Sequence, residues 1–231
     1  MALPELGWQF VYARLAWALV LAALVACAWP ASWRMPRGAL AAILGGSLLL
    51  NALPGAASPA WHLGLAFQYP SGLLAGLCCV KLFGRWNGAQ RAAMSPLFAA
   101  VLAVCGTMLY LDAFGLLARG YYYAGFGTGA AMLAVLLAGG CAAFFMRGQG
   151  KAPAGALLGA IALFSFARLP SGNLWDALLD PLLWAWALAS LGAAAVRALR
   201  RRGARPRHEA IAPELPALQS AGAEPFSPIK E

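Results

Sequence analysis

Seven apolar stretches, residues 11–29, 38–53, 61–83, 96–117, 125–146, 154–169 and 182–199, dominate the sequence and leave few alternatives to a bundle of membrane-crossing helices. A helix needs about 20 apolar residues, within a range of about 17 to 25, to cross bilayer hydrocarbon, where it satisfies its own backbone. The second and sixth stretches are the shortest and need flanking residues or little tilt to cross. Composition agrees, with 62% of the 231 residues hydrophobic and 11% charged, where a soluble domain carries roughly a quarter charged residues. The expectation is an all-α polytopic transmembrane bundle of about seven spans over residues 1–199, followed by a basic and then disordered tail over 200–231.

Breakers mark the limits of the spans: PASWRMPRG after the first, LPGAASP after the second, GRWNGAQ after the third and RGQGKAPAG after the fifth. The first ten residues hold no Lys or Arg, so the basic start of a secretory signal is missing and the first stretch is expected to remain as a span. Cys27, Cys78, Cys79, Cys105 and Cys141 all fall in apolar stretches without a CxxC pair. They read as small hydrophobes, and neither a metal site nor a cofactor is expected.

Orientation follows from the basic residues, which resist translocation. Fourteen of the 17 Lys and Arg fall on one side: Arg34, Arg37, Lys81, Arg85, Arg91, Arg147, Lys151 and the C-terminal group from Arg197 to Lys230. Arg14, Arg119 and Arg168 fall on the other. That alternation predicts an external N-terminus and a cytoplasmic C-terminus, as in a bacterial-type inner membrane. The net charge of +9 is thereby an orientation signal, and no nucleic-acid partner is expected. In the tail, Arg200, Arg201 and Arg202 are placed to meet anionic lipid headgroups, although a stop-transfer signal explains the same cluster more simply.

Glu5, Asp112, Asp176 and Asp180, the acidic residues before the tail, all fall on the outer side of this topology. Asp112, in AVLAVCGTMLYLDAFGLL, is the sharpest of them. An ionised carboxylate at the centre of a spanning helix costs on the order of 2.5 to 3.5 kcal/mol, less near the interface, so a partner is expected. Arg168 is at similar depth, and Arg119 and Arg14 are alternatives. In RLPSGNLWDALLDPLLWAW, Asn173, Asp176 and Asp180 are spaced to share a helix face. Paired carboxylates there suit a cation or a shared proton. Asn173 and the Asp180–Pro181 pair also have the form of helix N-caps. In WHLGLAFQYPSGLLAG, Pro70 with Ser71 and Gly72 predicts a kink or local unwinding, with Gln68 and His62 on its outer side. Gly72 with Gly76, and Gly155 with Gly159, have the spacing that permits close helix approach.

Several chemistries are excluded. A retinal Schiff base needs a lysine in the last span, but Lys81, Lys151 and Lys230 all lie on the cytoplasmic side. No GxGD, P-loop, HExxH or GxSxG motif occurs, and a membrane b-type haem normally takes two intramembrane histidines. The expected function is non-enzymatic: an accessory subunit of a membrane assembly or a small transporter-like module, partnered by the bilayer and by other membrane subunits. The competing expectation is an enzyme acting on a lipid-linked substrate at the outer leaflet, with Asp112 or Asp176 as general base and Arg119 or Arg168 holding a phosphate.

Overall fold

The computed structural model describes residues 4–30, 35–88, 94–147 and 150–204. Among them are ten α-helices and no strand. The helices are α1 (Leu6–Ala28), α2 (Arg37–Ala52), α3 (Pro59–Phe67), α4 (Gly72–Trp86), α5 (Pro96–Ala113), α6 (Tyr121–Ala124), α7 (Thr128–Met146), α8 (Lys151–Ala167), α9 (Leu174–Leu178) and α10 (Pro181–Ala204). Four are long and apolar enough to cross a membrane: α1, α5, α7 and the Pro181–Arg201 portion of α10. The apolar α2 and α8 are shorter, at 16 and 17 residues. The chain falls into two units, Met1–Gly192 and Ala193–Glu231. The tail beyond residue 204 lies outside the described residues.

Helix limits follow from local chemistry. Four helices begin at a side-chain cap that accepts an otherwise unpaired amide. Ser71 Oγ takes the Leu74 amide at 3.0 Å and Ser95 Oγ the Phe98 amide at 3.2 Å. Asn173 Oδ1 takes the Trp175 amide at 2.9 Å, and Asp180 Oδ1 the Leu183 amide at 2.8 Å. Helices α3, α5 and α10 each start on a proline, whose missing N–H costs nothing there. Helices α1 and α2 stop at Trp29 and Leu53, each in an extended conformation just before a proline.

The third apolar stretch is two helices instead of one. Helix α3 ends at Phe67, Gln68 takes φ 59° and ψ −123°, and α4 begins at Gly72. Pro70 and Ser71 at this break are fully buried, so the freed backbone groups need partners inside the protein. They have them. Tyr12 Oη donates to the Pro70 carbonyl at 2.7 Å and Trp17 Nε1 to the Gln68 carbonyl at 3.3 Å, both from α1. The Ser71 amide donates to Asp180 Oδ2 at 2.7 Å. Sequence reasoning anticipates the unwinding at Pro70; the full separation reflects how many outside groups converge to replace the lost helical bonds.

Helix α4 packs against α1 and α8, α1 against α2, and α7 against α8. Its buried Leu73, Leu74, Leu77 and Cys78 share one apolar core with Trp17 and Val20 of α1 and with Ile161 and Phe164 of α8. The α4–α8 approach is close because Gly72 and Gly76 face Ala160 and Ala156: a Cβ on Gly76 would sit 3.0 Å from that of Ala156. Gly155 and Gly159, the other pair with this spacing, meet no neighbour within 4 Å among the described residues. One small-residue stripe is therefore a helix contact, and its partner stripe is alanine. Gly106 of α5 similarly makes room for the Trp184 ring, whose Nε1 donates to Thr107 Oγ1 at 3.2 Å.

Candidate functional site

At the bundle end where α5 and α8 finish, a cleft of about 490 Å³ opens beside the α3–α4 break. It gathers Gln68 and Tyr69 from the break, Tyr110 from α5, Tyr122 from α6, Ser171 and Asp176 from around α9, and Asp180 from the start of α10. Three of the residues singled out from sequence, Gln68, Asp176 and Asp180, thus share one cavity. No Lys or Arg lines it among the described residues, and its two carboxyl groups are those of Asp176 and Asp180.

Asp176 is the more available of the two. Tyr122 Oη donates to its oxygens at 3.0 and 3.2 Å, and the Ser171 hydroxyl donates to Oδ2. All these donors are neutral. Burial pushes the Asp176 carboxyl above the usual carboxylate range, and the two hydroxyl donors only partly offset it. Tyr122 is pushed up to about 12, first by burial and then by the Asp176 charge. A half-buried carboxylate with neutral partners can accept a proton or face a small cation. Asp180, which is 6% exposed, has both oxygens committed to backbone amides, one at each of two helix starts.

Among the described residues Asp112 forms no ion pair, contrary to what its position suggests, and its oxygens are taken by backbone amides. Its Oδ1 accepts the Arg119 and Gly120 amides at 2.7 and 3.0 Å, and its Oδ2 the Tyr122 amide at 2.9 Å. It therefore shapes the turn between α5 and α6, using the backbone of Arg119 and not its guanidinium. Arg168 closes α8 at φ 55° and holds its guanidinium 5.0 Å from the centre of the Phe164 ring, a cation–π contact. Neither arginine lines the cleft.

Asn173 is fully buried and works twice. Besides capping α9, its Nδ2 donates to the Tyr122 carbonyl at 3.2 Å, while Trp175 Nε1 donates to the Tyr121 carbonyl at 2.9 Å. These bonds clamp α6 to α9. Gly125 is required between them, because a Cβ there would fall on Asn173 Oδ1. His62 lies outside this cleft: it is exposed, with Nε2 2.8 Å from the Ala56 carbonyl. Arg200 and Arg201 are exposed on α10, which also includes Arg202. Cys78 and Cys141 are buried free thiols, and no group of three or more His, Cys, Asp or Glu is placed to hold a metal among the described residues.

Sequence reasoning passes over Tyr12, Trp17 and Gly125. For the first two, the available signal is a pair of aromatics with polar tips in an apolar helix, side chains that seek a partner when buried. For Gly125 no local signal distinguishes it from the other 25 glycines. No family model, curated protein or solved structure matches the chain.

Proposed function

We propose that this chain is a multi-pass protein of a bacterial-type inner membrane, crossing seven times with its N-terminus outside and its C-terminus in the cytoplasm, and that it acts as a small transporter-like module for a cationic solute. The broken α3–α4 helix supports this reading most directly, because it opens on a cleft that contains Asp176 and Asp180 with no basic residue in its lining among the described residues. Interrupted helices tolerate exposed backbone at membrane depth only where it is buried in protein or lines a cavity, and solute sites often form there. Helices α3 and α4 together make the third crossing, and α2 and α8 the two short ones. Asp176 is the group that meets the solute, while Asp180 holds the break open.

Uptake of radiolabelled methylammonium into proteoliposomes of the full chain, under an inside-negative potential, tests the activity. Saturable uptake that falls at least several-fold in Asp176→Asn and persists in Arg119→Gln is expected. Uptake indistinguishable from empty liposomes would sink the carrier reading. A C-terminal reporter active only outside the cytoplasm would overturn the orientation.

A second reading, an accessory subunit of a larger assembly, draws on α7. Met132, Val135, Leu136, Phe144 and Met146 are exposed along it, and Gly129, Gly139 and Gly140 meet nothing within 4 Å, leaving small-residue sites where another spanning helix fits. A stoichiometric partner retained through purification in mild detergent would favour it. The lipid-linked-substrate enzyme has less support, because both oxygens of Asp112, its first candidate base, are engaged by amides.

A further inference from the structure

A second groove, of about 460 Å³, lies between α1 and α3 and shares Gln68 and Tyr69 with the cleft. Its walls are apolar, with Phe10, Trp61 and Leu65 at 59, 49 and 75% exposure. Its one charged side chain is Arg14, and no carboxylate lines it among the described residues. Arg14 is exposed and sits eight residues inside α1, about 12 Å along the axis from Leu6. A guanidinium at that depth in an apolar span requires an anion or a route to the headgroup layer, which its long stem provides by snorkelling. An arginine fork matches two oxygens of a phosphate, and the groove beside it is lined as an acyl chain requires.

We infer that this groove seats one phospholipid, its phosphodiester on the outward-reaching Arg14 at the level of Phe10 and Trp61 and an acyl chain running inward past Leu65. The inference rests on α1 crossing the membrane but not on transport. Gln68, exposed in the same lining, offers a second donor. Gln68 and Tyr69 line both cavities, so the bound lipid lies next to the solute cleft with these two residues between them.

Native mass spectrometry of the full chain, purified in dodecyl maltoside and supplied with palmitoyl-oleoyl phosphatidylglycerol, tests this. One adduct is expected to survive activation that strips the others, with at least five-fold lower occupancy in Arg14→Gln, partial recovery in Arg14→Lys and no change in Arg119→Gln. Equal occupancy in wild type and Arg14→Gln overturns the site. Loss of the adduct to excess inorganic phosphate also overturns it, because the acyl chain then contributes nothing. Release of the protein from membranes by a carbonate wash would instead defeat the underlying membrane reading. Lipid retention without methylammonium uptake would defeat only the carrier reading.

Discussion

The Tyr122 amide donates to Asp112 Oδ2 at 2.9 Å, so the last turn of α5 is tied directly to the first turn of α6. The same tyrosine's hydroxyl reaches Asp176. Two carboxylates 64 residues apart thereby meet on one residue, the first through its backbone and the second through its side chain.

Removing the first of these carboxylates releases three amides at once. In Asp112→Ala, the amides of Arg119, Gly120 and Tyr122 are expected to exchange with deuterium on the order of ten-fold faster than in wild type. Those of α4 should be unaffected. Hydrogen exchange in detergent checks this, and unchanged protection at residues 119–122 would contradict the assigned bonds.

Asp176 is expected to make stability depend on pH. Its carboxyl is raised by burial, so the folded protein holds the proton more tightly than the unfolded chain. The resulting stabilisation is fully present below the unfolded value and is lost as pH rises through the folded one. Wild type should therefore gain Tm relative to Asp176→Asn as pH falls from about 7 towards the acidic range. Thermal unfolding of both proteins at two pH values reads the difference directly, and a constant gap would remove Asp176 as its source.

Asp180 joins two helix starts, and its loss strips both. Asp180→Ala leaves the buried Ser71 amide without an acceptor and removes the α10 cap, a combined cost of about 2 to 4 kcal/mol. Asp180→Asn keeps one acceptor oxygen and should lose less. Denaturant unfolding of the two variants gives the order, and equal losses would imply that a single oxygen suffices.

The two glycine stripes should respond unequally to added bulk. Gly76→Leu forces apart α4 and α8 at Ala156 and is expected to cost about 1 to 3 kcal/mol or more. Gly159→Leu points away from any neighbour and should stay within about 0.5 kcal/mol of wild type. Matched effects in unfolding measurements would mean that the helix contact is assigned to the wrong face.

Local chemistry accounts for most of what the sequence reveals. The helix limits, the Asn173 and Asp180 caps and the unwinding at Pro70 each depend on residues within a few positions, which a linear reading can follow. The partner of Asp112 does not. Its acceptors are filled by amides on a turn seven to ten residues away, and an amide carries no side-chain signature, so the arginines look like the natural partners. Gly125, Tyr12 and Trp17 escape for a related reason: their importance lies in what another helix brings to them. Gly72–Gly76 and Gly155–Gly159 look identical in sequence, and only the facing surface separates them.

The bond between Ser71 and Asp180 also sets an order of events. The two residues are 109 positions apart, so a ribosome working at about 5 to 20 residues per second makes the acceptor roughly 5 to 20 s after the donor. Tyr12 and Trp17 are already synthesised when the break emerges and can hold its carbonyls from the start. Its amide has to wait. A helix made early is therefore completed by a residue that arrives 109 positions later, and any nascent chain that stops before Asp180 carries an unfinished joint within its third apolar stretch.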